Sequence, residues 1–435
     1  MMQAVIMAGG KGTRLVALTK DEIPKPMVPV AGKPLLLWQV ERLKENGITD
    51  IIMVIGHLGN KIREYFGDGE KFGVAIRYFE ETEPLGTAGS FYYLKDMIHG
   101  DRFVMMSGDL FFDIDFQRMI HFHEEKGAVA TLFVHPNGHP FDSDLLVLDH
   151  DDKITAFDSK HNVRNYWYEN CVNAGIFVFE KKICDYVPEP VKRNLENDVI
   201  KGMLEAGEPI YGYCSPEYVK DVGTVERVNQ TLADIERGVI AGKCLKNKQR
   251  CIFMDRDGTI NQYKGLVYKG EDFTLEDCAV DAIRKINQSG RLGIVITNQP
   301  VVARGLCEIE DVENIHKKME TFLGKEGVFL DDVFYCPHHP DKGYPEENPA
   351  YKTPCECRKP KTGMIQKAAE RYNIDLAGSW MIGDTTMDIQ TGINAGMRTA
   401  LVQTGEAGND KKYDVKPDLV CRDLLDAVEK ILQVD

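Results

Sequence analysis

Two tight pairs of soft metal ligands stand in the last hundred residues: Cys336-Pro337-His338 and, after sixteen intervening residues, Cys355-Glu356-Cys357. This spacing forms a Cys₃His set suited to tetrahedral, structural Zn²⁺. His339 is the alternative fourth ligand, but the step from Cys336 to His338 mirrors that from Cys355 to Cys357 and favours His338. The loop 340–354 is rich in Pro, Gly and charge and cannot build a core, so a metal would hold it. With all four positions filled by protein, such a zinc has no open position for catalysis. Near the start, Ala8-Gly9-Gly10-Lys11-Gly12-Thr13-Arg14-Leu15 sets three glycines in four positions. Backbone N–H groups there can turn toward an anion, and Lys11 and Arg14 can neutralise phosphate. The spacing is neither that of a Walker A loop nor Gly-x-Gly-x-x-Gly, and a tight strand-to-helix turn is the alternative reading.

These residues need elements to aim them. Short apolar runs at 4–7, 51–55, 103–106 and 129–134 are bounded by Gly, Asp or Pro, as buried strands are. Leu35, Leu36, Val40 and Leu43 repeat at helical spacing, with Asn46-Gly47 as the stop. The second half restarts the pattern with strands at 251–254, 292–297 and 381–383 and a helix face at 280–286. Alternation of this kind predicts an α/β fold with mostly parallel sheets. A chain of 435 residues suits two domains. The basic, acid-free stretch after the helix at 225–237 reads as a solvated linker, with domains at 1–240 and 251–435 and the linker at 241–250.

Composition narrows the function. At 43% hydrophobic and 28% charged the chain is not largely disordered, and a net charge of −15 argues against nucleic-acid binding. No apolar run is long enough to span a membrane and no secretory leader is visible, so a cytoplasmic protein is expected. Eleven cysteines, an odd number, do not read as a disulfide framework there.

Five blocks in order, the glycine loop, Pro24-Lys25-Pro26-Met27, Gly32-Lys33-Pro34, Glu83-Pro84-Leu85-Gly86-Thr87-Ala88-Gly89 and Ser107-Gly108-Asp109, resemble the sugar-phosphate nucleotidyltransferases. Within them, the guanylyltransferases acting on mannose 1-phosphate and heptose 1-phosphate are the most similar. The resemblance implies a Rossmann-like domain in which Gly9, Gly10, Lys11, Gly12, Thr13 and Arg14 cradle the triphosphate. It implies that Lys25 contacts the reacting phosphates, that Gly86 and Thr87 lie along base and ribose, and that Asn173 and Gly175 meet the sugar. Asp109 and Asp221 would ligate Mg²⁺, a helix N-cap being the alternative role for Asp221. Bringing two polyanions together demands positioning and cations, not a nucleophilic side chain.

The run 251–254 leads into Asp255-Arg256-Asp257-Gly258-Thr259, which resembles the haloacid dehalogenase (HAD) superfamily of phosphohydrolases. The resemblance implies a HAD-like Rossmannoid domain with Asp255 as nucleophile and Asp257 as acid and base. Thr297 would offer its hydroxyl to the phosphoryl group, Lys359 its cation, and Asn298, Arg304 and Arg358 would meet substrate. Lys361 is the alternative to Lys359. Mg²⁺ would be held by Asp255, Asp257 and Asp384, with Asp388 in support or as a further ligand. With the zinc loop, this half resembles the heptose 1,7-bisphosphate 7-phosphatases, with histidinol-phosphate phosphatases as near relatives.

The pairing predicts an enzyme that removes the 7-phosphate of a heptose 1,7-bisphosphate and transfers a nucleoside monophosphate, from GTP or another NTP, to the heptose 1-phosphate. Unrelated substrates for the two halves, such as mannose 1-phosphate and histidinol phosphate, or a non-catalytic sensor, are the alternatives. The sequence leaves the oligomeric state open.

Overall fold

A computed structural model describes residues 2–10, 16–341, 343 and 347–434, without the side chains of 16 and 17. Its contacts divide the chain into two units. The first comprises Met1–His135, Asp144–Ser159 and Cys171–Cys244; the second comprises Pro136–Ser143, Lys160–Asn170 and Leu245–Asp435. The sequence offers no sign that two stretches of the first half belong to the second unit. Within that unit the Thr321 hydroxyl accepts from the Tyr168 N–H (3.0 Å), and Trp167 packs edge-on against Phe322.

The first unit is built on a nine-stranded sheet. Gln3–Met7 lies between Asp50–Ile55 and Arg102–Ser107, parallel to both, and Ala75–Glu80 continues the parallel set. The first three of these strands are buried on both faces: in Gln3–Met7, Ala4 and Ile6 enter one core and Val5 the other. The expectation of a mostly parallel sheet fails beyond Arg102–Ser107, where Val172–Glu180 runs antiparallel to that strand and to Ala130–His135. The chain reaches Val172–Glu180 from the antiparallel pair Leu145–Leu148 and Ile154–Asp158, without the helical crossover a parallel neighbour requires. The helix Leu35–Glu45 ends as expected at Asn46, with Gly47 in the left-handed region at φ 78°.

The second unit has a six-stranded sheet, parallel throughout, in the order Asp332–Cys336, Leu292–Asn298, Cys251–Met254, Trp380–Gly383, Arg398–Val402, Leu419–Cys421. Cys251–Met254, first in the chain, is flanked by strands reached in opposite directions. A crevice opens at the carboxyl ends of strands at such a switch point. Residues 241–250 are not a free linker. The helix Val239–Lys243 packs Ile240 beside Tyr218 and Val228, Leu245 enters a core of the second unit, and Gln249 is buried.

Candidate active sites

In the first unit, Leu110–Asp113 pairs antiparallel with Tyr218–Asp221, placing Asp221 opposite Leu110 and so next to Asp109. The buried Gln39 amide straddles the turn, donating to the carbonyls of Ser107 (3.0 Å) and Leu110 (2.7 Å). Lys25, on a short turn begun by Pro24, makes an ion pair with Asp109 and stands 3.7 Å from Asp221. Burial pushes the Asp109 carboxyl up, but Lys25 and the Ser107 hydroxyl (2.7 Å) outweigh it and hold Asp109 below its ordinary value. Asp221 does not cap the following helix; Thr224 does, accepting from the Arg227 N–H. Arg227 instead grips Asp221 Oδ2 at 2.7 Å, leaving Oδ1 buried with no hydrogen-bond partner among the described residues. A Cβ on Gly223 would stand 2.6 Å from that oxygen and 3.1 Å from Lys25 Nζ, so any side chain there would displace these two groups. Two carboxylates, one with an unsatisfied oxygen, are a donor set that fits Mg²⁺ completed by phosphate and water.

Of the glycine loop, Gly9 and Gly10 are described; Lys11, Gly12, Thr13 and Arg14 lie outside the described residues. A Cβ on Gly10 would meet nothing within 4 Å, whereas one on Gly9 would stand 3.0 Å from Glu81 Oε2. Glu81 was not singled out in the sequence. Burial raises its carboxyl to about 6 against a backbone hydrogen bond from Leu85, and its Oε1 is buried with no partner among the described residues. Gly86 is at φ 77° and a Cβ there would stand 2.3 Å from Arg193 O. Thr87 accepts the Leu195 N–H (2.7 Å), so its hydroxyl braces the loop. Asn173 Oδ1 accepts the N–H of Gly175 (3.2 Å) at a bulge in Val172–Glu180.

In the second unit the expected residues meet in the crevice. Lys359 Nζ lies 2.9 Å from Asp255 Oδ1 and 2.5 Å from Asp388 Oδ1. Burial opposes its charge, but the two carboxylates raise Lys359 above its usual range. Asp255 is lifted to about 6 and Asp384 to about 8, each chiefly by burial and then by neighbouring carboxylates. Asp255, Asp384 and Asp388 bring one oxygen each within 4.8 Å of one another, and Asp384 Oδ1 is buried with no partner among the described residues. A Cβ on Gly258 or Gly405 would stand 2.4 Å or 2.1 Å from Asp384 Oδ2, so backbone closes tightly on this carboxylate. Crowded carboxylates with a spare oxygen fit a hard divalent cation.

The cluster departs from the expected set in one member. The Asp257 carboxylate is turned away onto Arg256, Gln299 and Asn261, while Asp388 joins Asp255 and Asp384 as the further ligand expected of it. Asp388 also closes a capping box with Thr385 at the start of Thr386–Asn394. Thr297 faces Gln299, whose Nε2 donates to its hydroxyl at 3.0 Å. Asn298, expected to meet substrate, spends both ends of its amide on the backbone of Lys359. Arg358 donates to the His338 carbonyl (3.0 Å), its charge beside that of Arg304, while Lys361 is exposed and paired with Glu356.

Cys336, His338, Cys355 and Cys357 converge with all donor atoms within 4.8 Å. Cys336 Sγ stands 3.1 Å and 3.5 Å from the sulfurs of Cys357 and Cys355, and His338 presents Nδ1 at 3.4 Å from Cys357. Tetrahedral zinc with Zn–S bonds of about 2.3 Å sets sulfurs roughly 3.7 Å apart, close to this packing. His339 is directed elsewhere, its Nδ1 accepting the Asp341 N–H.

Comparison with known proteins matches each half of the chain to an enzyme family. The nucleotidyl transferase family model matches residues 3–238, and the HAD-hydrolase-like model matches 356–427. A mannose-1-phosphate guanylyltransferase of Mycobacterium tuberculosis is 32% identical over 246 residues, 56% of this chain and 67% of that protein. A UTP–glucose-1-phosphate uridylyltransferase of Synechocystis is 33% identical over 261 residues, 57% of this chain and 66% of that protein. This chain thus spans about two thirds of the length of each of those two relatives. A D-glycero-beta-D-manno-heptose-1,7-bisphosphate 7-phosphatase of Haemophilus ducreyi is 37% identical over 182 residues, 41% of this chain and 97% of that protein. The chain belongs to the nucleotidyl transferase family in its first half and to the HAD-like phosphatases in its second. It is an enzyme of two catalytic families joined in one polypeptide.

Proposed function

We propose that the second unit removes the 7-phosphate of D-glycero-D-manno-heptose 1,7-bisphosphate and that the first transfers GMP from GTP to the resulting heptose 1-phosphate, releasing pyrophosphate. The observation that carries this reading is the pairing itself. A bisphosphate phosphatase that spares the 1-phosphate makes the acceptor a sugar-1-phosphate nucleotidyltransferase needs, and relatives of both kinds match this chain.

In the phosphatase, an Asp255 oxygen attacks phosphorus and the bond to the sugar oxygen breaks. Asp257 gives its proton to that leaving oxygen. Asp257 then takes a proton from water as the water oxygen attacks the aspartyl phosphate, freeing phosphate and the Asp255 carboxylate. Lys359 offsets charge at the phosphoryl group, and Thr297 bonds it. Mg²⁺, held by Asp255, Asp384 and Asp388, would supply further charge neutralisation. Zn²⁺ on Cys336, His338, Cys355 and Cys357 would hold the loop that carries Arg358 and Lys359.

In the transferase, a sugar 1-phosphate oxygen attacks the α-phosphorus of GTP and pyrophosphate leaves. Lys25 neutralises the reacting phosphates, and Asp109 with Asp221 would hold Mg²⁺. Glu81, beside Gly9 of the glycine loop, would favour guanine as the base. A carboxylate only accepts, and guanine alone among the four common bases offers adjacent N1–H and N2–H donors to it. Among the described residues no helix is long and apolar enough to cross a membrane, which suits a cytoplasmic enzyme.

Asp255→Asn tests the division of labour. It should abolish phosphate release yet leave transfer from GTP to supplied heptose 1-phosphate intact. Loss of both would contradict two separate sites, and a preference for mannose 1-phosphate as acceptor would contradict the coupled reading.

A further inference from the structure

Between the two carboxylates stands Arg256, whose part in the reaction rests on the acid/base role proposed for Asp257. The Arg256 side chain is fully buried, at 0% exposure. A buried guanidinium is tolerated only when its N–H groups find partners. Arg256 Nη2 donates to both oxygens of Asp257, at 3.0 Å and 2.9 Å, and to Gln299 Oε1 at 3.1 Å. Its Nε reaches Asp257 Oδ1 at 3.3 Å, and its Nη1 donates to His316 Nε2 at 3.1 Å. Asp257 also accepts from Gln299 Nε2 (2.8 Å) and Asn261 Nδ2 (3.0 Å).

An arginine offers only donors, so His316 Nε2 must present its lone pair and the imidazole is neutral, with its proton on Nδ1. Burial first, and then the guanidinium charge, hold His316 well below its ordinary range. The imidazole lies on the helix Ile309–Lys325 with its ring 5.2 Å from that of Tyr335, whose hydroxyl is tied to Glu313 (2.9 Å). The acceptor is therefore held from a different element, 60 residues along the chain from the arginine it fixes.

We propose that Arg256 and His316 are positioning residues of the phosphatase: His316 orients the guanidinium, and the guanidinium orients the carboxylate of Asp257 that moves the proton. A bidentate fork fixes both the place and the plane of a carboxylate, which a lysine ammonium cannot do. Neither residue touches substrate in this arrangement; both act through Asp257. Proton transfer by a positioned group is worth about 10²–10⁴ in rate, and a misplacement of about 1 Å forfeits roughly a hundredfold.

The test uses the full chain with Mg²⁺ and Arg256→Lys, His316→Phe and His316→Gln, measured on heptose 1,7-bisphosphate and on p-nitrophenyl phosphate. R256K and H316F should lower kcat for the bisphosphate roughly 10- to 100-fold with KM little changed. H316Q, which retains an acceptor, should recover most of the rate. On p-nitrophenyl phosphate, whose leaving group departs without a proton, a burst of nitrophenolate should persist while steady turnover slows. Unchanged kcat in R256K and H316F, or equal loss of burst and steady rate, would overturn the proposal. Should H316F fail to fold, judged by loss of the second unit's cooperative thermal transition, R256K and H316Q decide the matter. Asp257→Asn separates the premise: if it turns over normally, the acid/base assignment fails, whereas slow D257N beside normal R256K and H316F sinks only the present inference.

Discussion

Asn298 grips Lys359 by the backbone on both sides, its Nδ2 donating to the Lys359 carbonyl at 3.2 Å and its Oδ1 accepting the Lys359 N–H at 3.0 Å. That grip delivers the ammonium between Asp255 and Asp388. Asn298→Ala should therefore act on turnover rather than on folding, lowering phosphate release about 10- to 100-fold with KM little changed. Steady-state kinetics on the bisphosphate checks this; Asn298→Asp, which keeps only the acceptor, should fall between.

Gly223 stands where any side chain would meet Asp221. Gly223→Ala pushes a carbon into a 2.6 Å gap from Asp221 Oδ1, displacing that carboxylate and Lys25. Pyrophosphate release should drop about a hundredfold or more while phosphatase kinetics remain those of the parent. Assaying both activities on one preparation makes each half the control for the other.

Removal of zinc should loosen the second unit. Cys355→Ser leaves three ligands, and loss of the metal frees the loop that carries Arg358 and Lys359. Zinc content measured by atomic emission should fall from one per chain toward none, with a lower Tm and lost phosphatase activity. Transfer to supplied heptose 1-phosphate should persist.

The Glu81 carboxyl is raised to about 6, so it is charged above that pH and takes up a proton below it. Protonation removes the acceptor pair that guanine donors need. KM for GTP should accordingly rise as pH falls through about 6, and this dependence should vanish in Glu81→Gln. The same variant should lose roughly 10- to 100-fold of its preference for GTP over ATP, the worth of a hydrogen bond to a charged group. A panel of the four nucleotides at several pH values reads both effects.

What could be read from the sequence was whatever lies close along the chain. The alternate-residue spacing of Asp255 and Asp257, the block from Gly383 to Asp388, and the two zinc pairs each carry their geometry locally. The strands at 251–254 and 292–297 appear within a residue of expectation because buried parallel strands are short apolar runs. The partners of these residues were not legible. His316 reaches Arg256 across 60 positions, and Arg227 and Glu81 sit in ordinary helical or loop context with nothing local to mark them. The family resemblance implies that Asn298 meets substrate, whereas the fold shows its amide bound to the backbone of Lys359. Side-chain direction misled once: two residues from Asp255, the Asp257 carboxylate turns to a buried arginine instead of joining the acidic cluster.

On the function proposed, one chain makes the acceptor in one site and consumes it in the other. Purified protein given heptose 1,7-bisphosphate, GTP and Mg²⁺ should be followed by phosphorus NMR, which separates phosphate, pyrophosphate and the sugar diphosphate. Equal amounts of phosphate and pyrophosphate should appear, with phosphate leading, together with a guanosine-diphosphate heptose. Phosphate without pyrophosphate or nucleotide sugar would contradict the account.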